Sequence, residues 1–215
     1  MNNSKENQIK NLLMETVGHS HYNGWHNRTT YGYHSYTLGD VDIKGQRTPA
    51  KRLQALRDAG IDFTDKRVLD CGCNVGAMLH HLPEIKWGMG LDYDAKCIHA
   101  ANGIAEVLGV EEKLRFFVHD FDRMNYDIFT QRVSFTPDYI FLLSLGSWIQ
   151  SWQELYKTCD SMLLSSGKII LEINNEVEGR DQLNFFTNLG REPQLIIDNS
   201  LDDTTGNNLR RTYLV

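Results

Sequence analysis

The chain has 215 residues, 41% hydrophobic and 23% charged, which suits one globular domain with a short appendage. Its formal charge is −6 and its pI is near 5.7, which argues against a broad basic surface for nucleic acid. No apolar run is long enough to span a bilayer and the N-terminus lacks the apolar core of a signal peptide, so a cytoplasmic setting without membrane attachment is expected. The four cysteines, Cys71, Cys73, Cys97 and Cys159, lack the paired spacing of a zinc site. They are expected to be reduced, and no metal is expected.

In chain order, residues 4–17 space Ile9, Leu12, Leu13, Met14 and Val17 as on an amphipathic helix. The composition then shifts. Between His19 and Tyr36 fall half of the eight histidines and four of the nine tyrosines, with Trp25 and Arg28 among them. So many polar ring tips do not suit a plain core segment. The stretch reads either as a lid over a bound ligand or as an arm packed on the domain surface. Tyr33–Leu38 and Val41–Ile43 read as two short strands joined at Gly39-Asp40. Thr48 and Pro49 open a helix with Leu53, Leu56 and Ala59 on its apolar face, and Gly60 closes it.

From residue 66 onward, strands and helices alternate five times. Strands are expected at about 66–71, 87–92, 114–118, 138–144 and 168–173. The helix after Gly76 is expected to run to Leu82, where Pro83 stops it. Others cover Ala95 to Leu108, the segment carrying Trp152, Leu155, Cys159 and Leu163, and about 179–189. Residues 122–136 read as a loop or short helix. Two last strands, 194–197 and 211–215, are joined by too few residues for a crossover helix, so they pair antiparallel. The pattern predicts an α/β doubly wound, seven-stranded sheet, mostly parallel with an antiparallel last strand. Residues 1–50 would form an N-terminal helical and aromatic arm or lid, and 51–215 the main domain.

The chemistry centres on Asp70-Cys-Gly-Cys-Asn-Val-Gly76, which follows the first sheet strand and opens a helix. Gly72 permits a turn with positive φ, and Gly76 permits a close approach to the backbone. The spacing departs from the dinucleotide fingerprint, Gly-x-Gly-x-x-Gly. Twenty-two residues after Asp70, Asp92 ends the second strand, where an acid suits ribose hydroxyls. Asp120 follows the third strand. Three acids at the C-terminal ends of successive strands point to one ligand, because ligands bind at that rim of such sheets.

These motifs resemble those of the class I S-adenosylmethionine (SAM) methyltransferases, over about 66–215. The resemblance implies SAM as cofactor. Asp70, Gly72, Cys73 and Gly76 would line its methionine end, Asp92 its ribose and Tyr93 the ring. Asp120 and Phe121 would read the adenine, with Ser144 and Leu145 beside the methyl group. The same glycine turn, with Leu143–Ile149 and Gly167–Glu172, looks like the RNA 5′-phosphate methyltransferases of the Bin3 and 7SK-capping type. Tyr33–Asp40 is similar to a segment of the tRNA-uridine carboxymethyl-transfer enzymes. The amino-purine motif Asn/Asp-Pro-Pro-Tyr/Phe is absent, and Leu143-Ser-Leu-Gly146 stands in its place. The expectation is O-methylation of a small-molecule acceptor. A histidine within hydrogen-bond reach would serve as base, His34 first and His26 second. Tyr33, Trp25, Arg47 and Trp148 would contact the acceptor. An RNA methyltransferase is the alternative, disfavoured by net charge. A non-catalytic SAM- or nucleotide-binding module is another, and a reductase is weaker still, lacking the third glycine of its fingerprint. Neither the acceptor nor the oligomeric state is legible.

Overall fold

The computed structural model describes residues 4–16, 32–123, 125–174, 176–203 and 210–215. Its elements are α1 (Lys5–Met14), β1 (Tyr36–Leu38), β2 (Val41–Ile43), α2 (Pro49–Asp58), β3 (Arg67–Cys71), α3 (Ala77–His80), β4 (Trp87–Asp92), α4 (Ala95–Leu108), β5 (Leu114–Val118), α5 (Tyr126–Arg132), β6 (Tyr139–Leu143), α6 (Trp152–Met162), β7 (Lys168–Ile173), α7 (Glu176–Asn188), β8 (Gln194–Ile197) and β9 (Arg211–Leu214). A 3₁₀ turn, Gly146–Trp148, precedes α6.

β1 and β2 form a separate antiparallel pair. The other seven strands make one sheet in the order β5-β4-β3-β6-β7-β9-β8. β3 to β7 run parallel. β9 lies antiparallel between β7 and β8. The expected seven-stranded sheet with an antiparallel last strand is the one observed. On one face of the central strands Leu69, Cys71, Ile140 and Leu142 pack against Phe129 of α5, Tyr156 and Cys159 of α6 and Phe186 of α7. Val68, Phe141 and Ile170 face the other way, against Leu53 and Leu56 of α2, Leu79 of α3 and Ile98 and Ala101 of α4. Strand β6 is therefore buried on both faces, which explains its continuous apolar run.

The part before residue 50 that is described has its own core. Ile9 and Leu13 of α1 and Tyr36, Val41 and Ile43 of the hairpin pack on Val75, Ala77, Cys97, Ala100 and Ile104. The Tyr36 hydroxyl sits 2.9 Å from the Val75 carbonyl and 3.2 Å from His80 Nδ1. The His80 Nε2 lies 3.1 Å from the Ala101 carbonyl. Burial pushes His80 down to about 3, so the ring is neutral and joins hairpin, α3 and α4 without a charge. Helix α3 ends at His80, short of the expected Leu82. His81 caps it, its own ring 2.7 Å from the Ala77 carbonyl. Pro83 is not needed as the stop.

Gly90, in the middle of β4, lies opposite Phe116 of β5. A Cβ there would come within 2.5 Å of the Phe116 ring and 2.8 Å of Cys73 Sγ. Gly90→Ala should therefore cost about 1–3 kcal/mol in urea denaturation, as overpacking does. Shrinking the ring in the double variant Gly90→Ala/Phe116→Leu should recover part of the loss. Equal stability of Gly90→Ala and wild type would show that the ring moves aside.

Candidate functional site

The chain leaves β3 toward β4 and β5 on one side and reaches β6 and β7 on the other. Above the C-terminal ends of β3 and β6 the connections diverge and open a crevice, the usual ligand position in such sheets. A cavity of about 560 Å³ occupies it.

The glycine turn forms one wall. Gly72 has φ +79, and a Cβ there would meet the Leu145 side chain at 2.7 Å. The turns after β3 and β6 thus touch, and only a glycine fits between them. The Gly72 and Cys73 amides donate to the Leu91 carbonyl at 2.7 and 3.0 Å, which binds the turn to β4. Asp92 accepts from the Asn74 amide at 2.8 Å through one oxygen and from the Asp94 amide at 3.0 Å through the other. Asn74 (φ +50) and Ser144 (φ +58) are non-glycine residues in the left-handed region, and both line the cavity. Such strain costs on the order of 1–3 kcal/mol per residue and clusters at functional sites.

Asp70 and Asp92 are both buried and both line the cavity. Burial, then the neighbouring charge of Asp92, raises Asp70 to about 7. Burial also raises Asp92 to about 6, against the pull of the Asp94 and Asn74 amides. Two carboxylates held this way are poised for a cationic or diol-bearing ligand. Farther along the rim Asp120 accepts from the Asp122 amide at 3.1 Å and lies 3.6 Å from Arg123 Nε. Phe121, Asp122, Ile149 and Gln150 complete that end. Tyr93 and Trp148, 58% and 51% exposed, stand at the mouth as large apolar surfaces open to a ligand.

Past Ser144 the wall changes sign. Arg52 of α2 and Arg210, next to β9, line the cavity. Behind them Glu172 is fully buried. Its Oε1 accepts from Ser144 Oγ at 2.5 Å, from Arg210 Nη1 at 3.1 Å and from Arg52 Nη2 at 3.3 Å. Burial alone would lift Glu172, but Arg52 and Arg210 outweigh it and hold the carboxyl below its usual range. Arg52 also lies 2.8 Å from Asp202.

His34 is buried and lines the cavity beside Tyr33. Burial and then Arg52 lower its pKa well below the usual value, so the ring is neutral. Among the described residues its Nδ1 has no hydrogen-bond partner. Its backbone is pinned by Arg47, whose amide donates to the Tyr33 carbonyl and whose carbonyl accepts from the Ser35 amide, both at 2.7 Å.

Of the expected site residues, Asp70, Gly72, Cys73, Asp92, Tyr93, Asp120, Phe121, Ser144, Leu145, His34, Tyr33 and Trp148 all line this cavity. Gly76 does not. Its φ is +71, and a Cβ there would strike the Phe116 ring at 2.4 Å, so it serves packing at the start of α3. Arg47 does not either. It is buried behind His34, 3.0 Å from Asp202 and 3.8 Å from Asp203, because those acids claim its guanidinium. His26 and Trp25 lie outside the described residues. Arg52, Glu172, Arg210 and Asn74 were not expected. Two of them carry a signal in the sequence. Arg52 falls in the apolar stripe Pro49, Leu53, Leu56, and Glu172 interrupts an apolar strand, and a charge in such a place needs a partner. Arg210 sits in a polar stretch and carries none.

No family model matches the chain, and no curated protein matches it in sequence. Solved structures do match it in fold. The N-terminal domain of EvdMO1 in the presence of SAH and D-fucose superposes with a TM-score of 0.60 at 14% identity, over 84% of this chain and 88% of that one. Against the longer EvdMO1 chain the score is 0.60 at 15% identity, and this chain spans only 43% of its length. A SAM-dependent methyltransferase from Clostridium acetobutylicum ATCC 824 scores 0.55 at 15% identity, over 77% and 89%. Precorrin 8W decarboxylase from Methanobacterium thermoautotrophicum scores 0.59 at 14% identity, over 80% and 91%. The seven-stranded mixed sheet, with its antiparallel β9 and its helices on both faces, is the class I, Rossmann-like methyltransferase fold.

Proposed function

We propose that this chain is a SAM-dependent methyltransferase acting on an oxygen atom of a small-molecule acceptor, with the segment before residue 50 closing over the site. One observation carries the reading. Asp70, Asp92 and Asp120 come from the ends of three successive strands and line one cavity at the switch point of the sheet. The neighbouring methyltransferase structures support it. A cytoplasmic setting belongs to the same reading, supported by four free cysteines, all buried. Among the described residues no helix is long and apolar enough to cross a membrane.

The cavity fits such a cofactor. Gly72 leaves bare backbone where a side chain would fill the crevice. Asp92 is fixed by two amides and can accept from a ribose diol with charge-assisted bonds. Asp70 suits the cationic end of the cofactor, and Arg52 suits its carboxylate. When bound, SAM supplies an activated methyl group on a sulfonium. The protein's part is then to hold the acceptor in line, and orientation alone is worth on the order of 7–11 kcal/mol. His34, neutral and lining the cavity, is the residue that would take the proton of an acceptor hydroxyl. Tyr33 and Trp148 keep water from the acceptor side.

Calorimetry with SAM, SAH and NADH tests the reading. SAM and SAH are expected to bind and NADH is not, while the opposite pattern would remove it. Asp92→Asn should weaken SAM about 10- to 100-fold, the worth of one or two charged hydrogen bonds, with unchanged circular dichroism. An unaltered affinity takes Asp92 out of the site.

Asp70 yields a test by pH. Its folded pKa of about 7 lies above the ordinary 3.8, so ionising it opposes folding. That penalty is absent below pH 3.8, grows as pH rises and is complete above about 7. Asp70→Asn should therefore raise stability at pH 8, by up to roughly 4 kcal/mol, and leave it nearly unchanged at pH 4. In the wild type, SAM should bind more tightly at pH 8 than at pH 6, and SAH, lacking the sulfonium charge, should show a smaller change. Melting curves of Asp70→Asn that track the wild type at both pH values would show that Asp70 is not strained by burial.

A further inference from the structure

We propose that Ser151 is a positioning residue for the nucleobase of the cofactor: it latches the loop after β5 to the start of α6 and thereby fixes Asp120 and Phe121. The proposal rests on the methyltransferase reading and deepens it, adding a residue that does not itself line the cavity.

Ser151 stands at the N-cap of α6. Ser151-Trp-Gln-Glu154 has the spacing of a capping box, in which the serine hydroxyl accepts from the amide of the residue three places on. That bond is not made. The Glu154 amide donates to the Ser151 carbonyl instead, at 3.0 Å, and the hydroxyl is committed away from its own helix.

It is committed to the loop after β5. Ser151 Oγ lies 3.1 Å from the Phe121 carbonyl and 3.2 Å from Asp122 Oδ1, and the Ser151 amide donates to the same Asp122 oxygen at 3.1 Å. Tyr126, at the start of α5, brings its hydroxyl within 2.9 Å of Ser151 Oγ. The carbonyl and the carboxylate only accept, so the serine proton goes to one of them and Tyr126 donates to the serine oxygen.

The latch reaches the cavity through two residues that line it. The Phe121 carbonyl is held by Ser151, while its ring is wedged between His119 and Phe129 at centroid separations of 4.8 and 5.4 Å. Asp122, its carboxylate held by Ser151, donates its own amide to Asp120 Oδ1 at 3.1 Å. That bond orients the Asp120 carboxyl. Arg123 lies 3.6 Å from the other Asp120 oxygen, but its side chain is 86% exposed and water competes for the contact. Ile149 and Gln150, the two residues before Ser151, line the same end of the cavity. In the methyltransferase reading Asp120 accepts from the adenine amino group. An oriented acceptor tells an amino group from a carbonyl, because a carbonyl there would face the carboxylate with no proton between them. A loop released from Ser151 would still cover a base but would choose it less sharply.

The test titrates full-length protein by calorimetry with SAH and with S-inosylhomocysteine, in which a carbonyl replaces the adenine amino group. Wild type should bind SAH roughly ten-fold or more tightly. Ser151→Ala should reduce that ratio about 3- to 10-fold, the worth of one neutral hydrogen bond, and Ser151→Thr, which keeps the hydroxyl, should preserve it. Loss of helix stability alone would weaken both ligands alike and leave the ratio unchanged. A ratio in Ser151→Ala within about two-fold of wild type overturns the proposal, as does a wild type that binds both ligands equally. Should Ser151→Ala not fold, Tyr126→Phe, which removes the donor to the serine oxygen, should lower the ratio in the same direction, and an unchanged ratio there overturns the proposal too. Failure to bind SAH at all would remove the methyltransferase reading itself, a result distinct from a lost preference.

Discussion

Like charges buried together are the constraint on which this cavity is built. Asp70 and Asp92 sit on neighbouring strands, in register with Gly90 and Val118, and both are cut off from bulk water. A carboxylate in that position resists ionisation, and a second one beside it resists further. The fold relieves Asp92 with the backbone amides of Asp94, Asn74 and Tyr93 and leaves Asp70 without comparable help. A group bringing positive charge into the cavity would relieve that strain. A site so arranged costs stability when empty and recovers it on binding, the usual relation between function and marginal stability.

The opposite wall solves the reverse problem. Three guanidiniums, Arg47, Arg52 and Arg210, meet three carboxylates, Glu172, Asp202 and Asp203, almost without solvent. Buried ion clusters of this kind are weak sources of net stability but strong specifiers of geometry when every partner is present. The cluster joins α2, β7, the connection after β8 and the residue before β9. Through Arg47 it also reaches the backbone around His34, so this wall of the cavity is assembled from segments far apart in the chain.

The hairpin β1–β2 and helix α1 are tied to the glycine-turn side of the cavity as well. They share a core with α4 and with Val75 in the glycine turn. The neutral His80 lets this joint be polar without burying charge. Whatever the segment before residue 50 does at the site, its described part is anchored to the same turn that shapes the cavity.

The architecture was legible in the sequence because local rules wrote it. Apolar runs of strand length alternate with helical spacings, and a short final connection forces β8 and β9 antiparallel, so the sheet follows from periodicity and handedness. The acid rim was legible for a related reason: strand ends are local features, and the sheet brings all its C-terminal ends to one edge. The guanidinium wall was not legible. Arg47 reads in the sequence as a ligand contact and is instead paired with Asp202 and Asp203, more than 150 residues away. Arg52 and Glu172 showed only as charges out of place, and Arg210 showed not at all. Pairing between distant charges depends on which segments the tertiary fold lays side by side, and no spacing along the chain encodes that. The sequence alone thus determined the sheet and the acidic half of the cavity. Tertiary structure alone decided its cationic half, because there each group's role is set by its partner rather than by its neighbours in sequence.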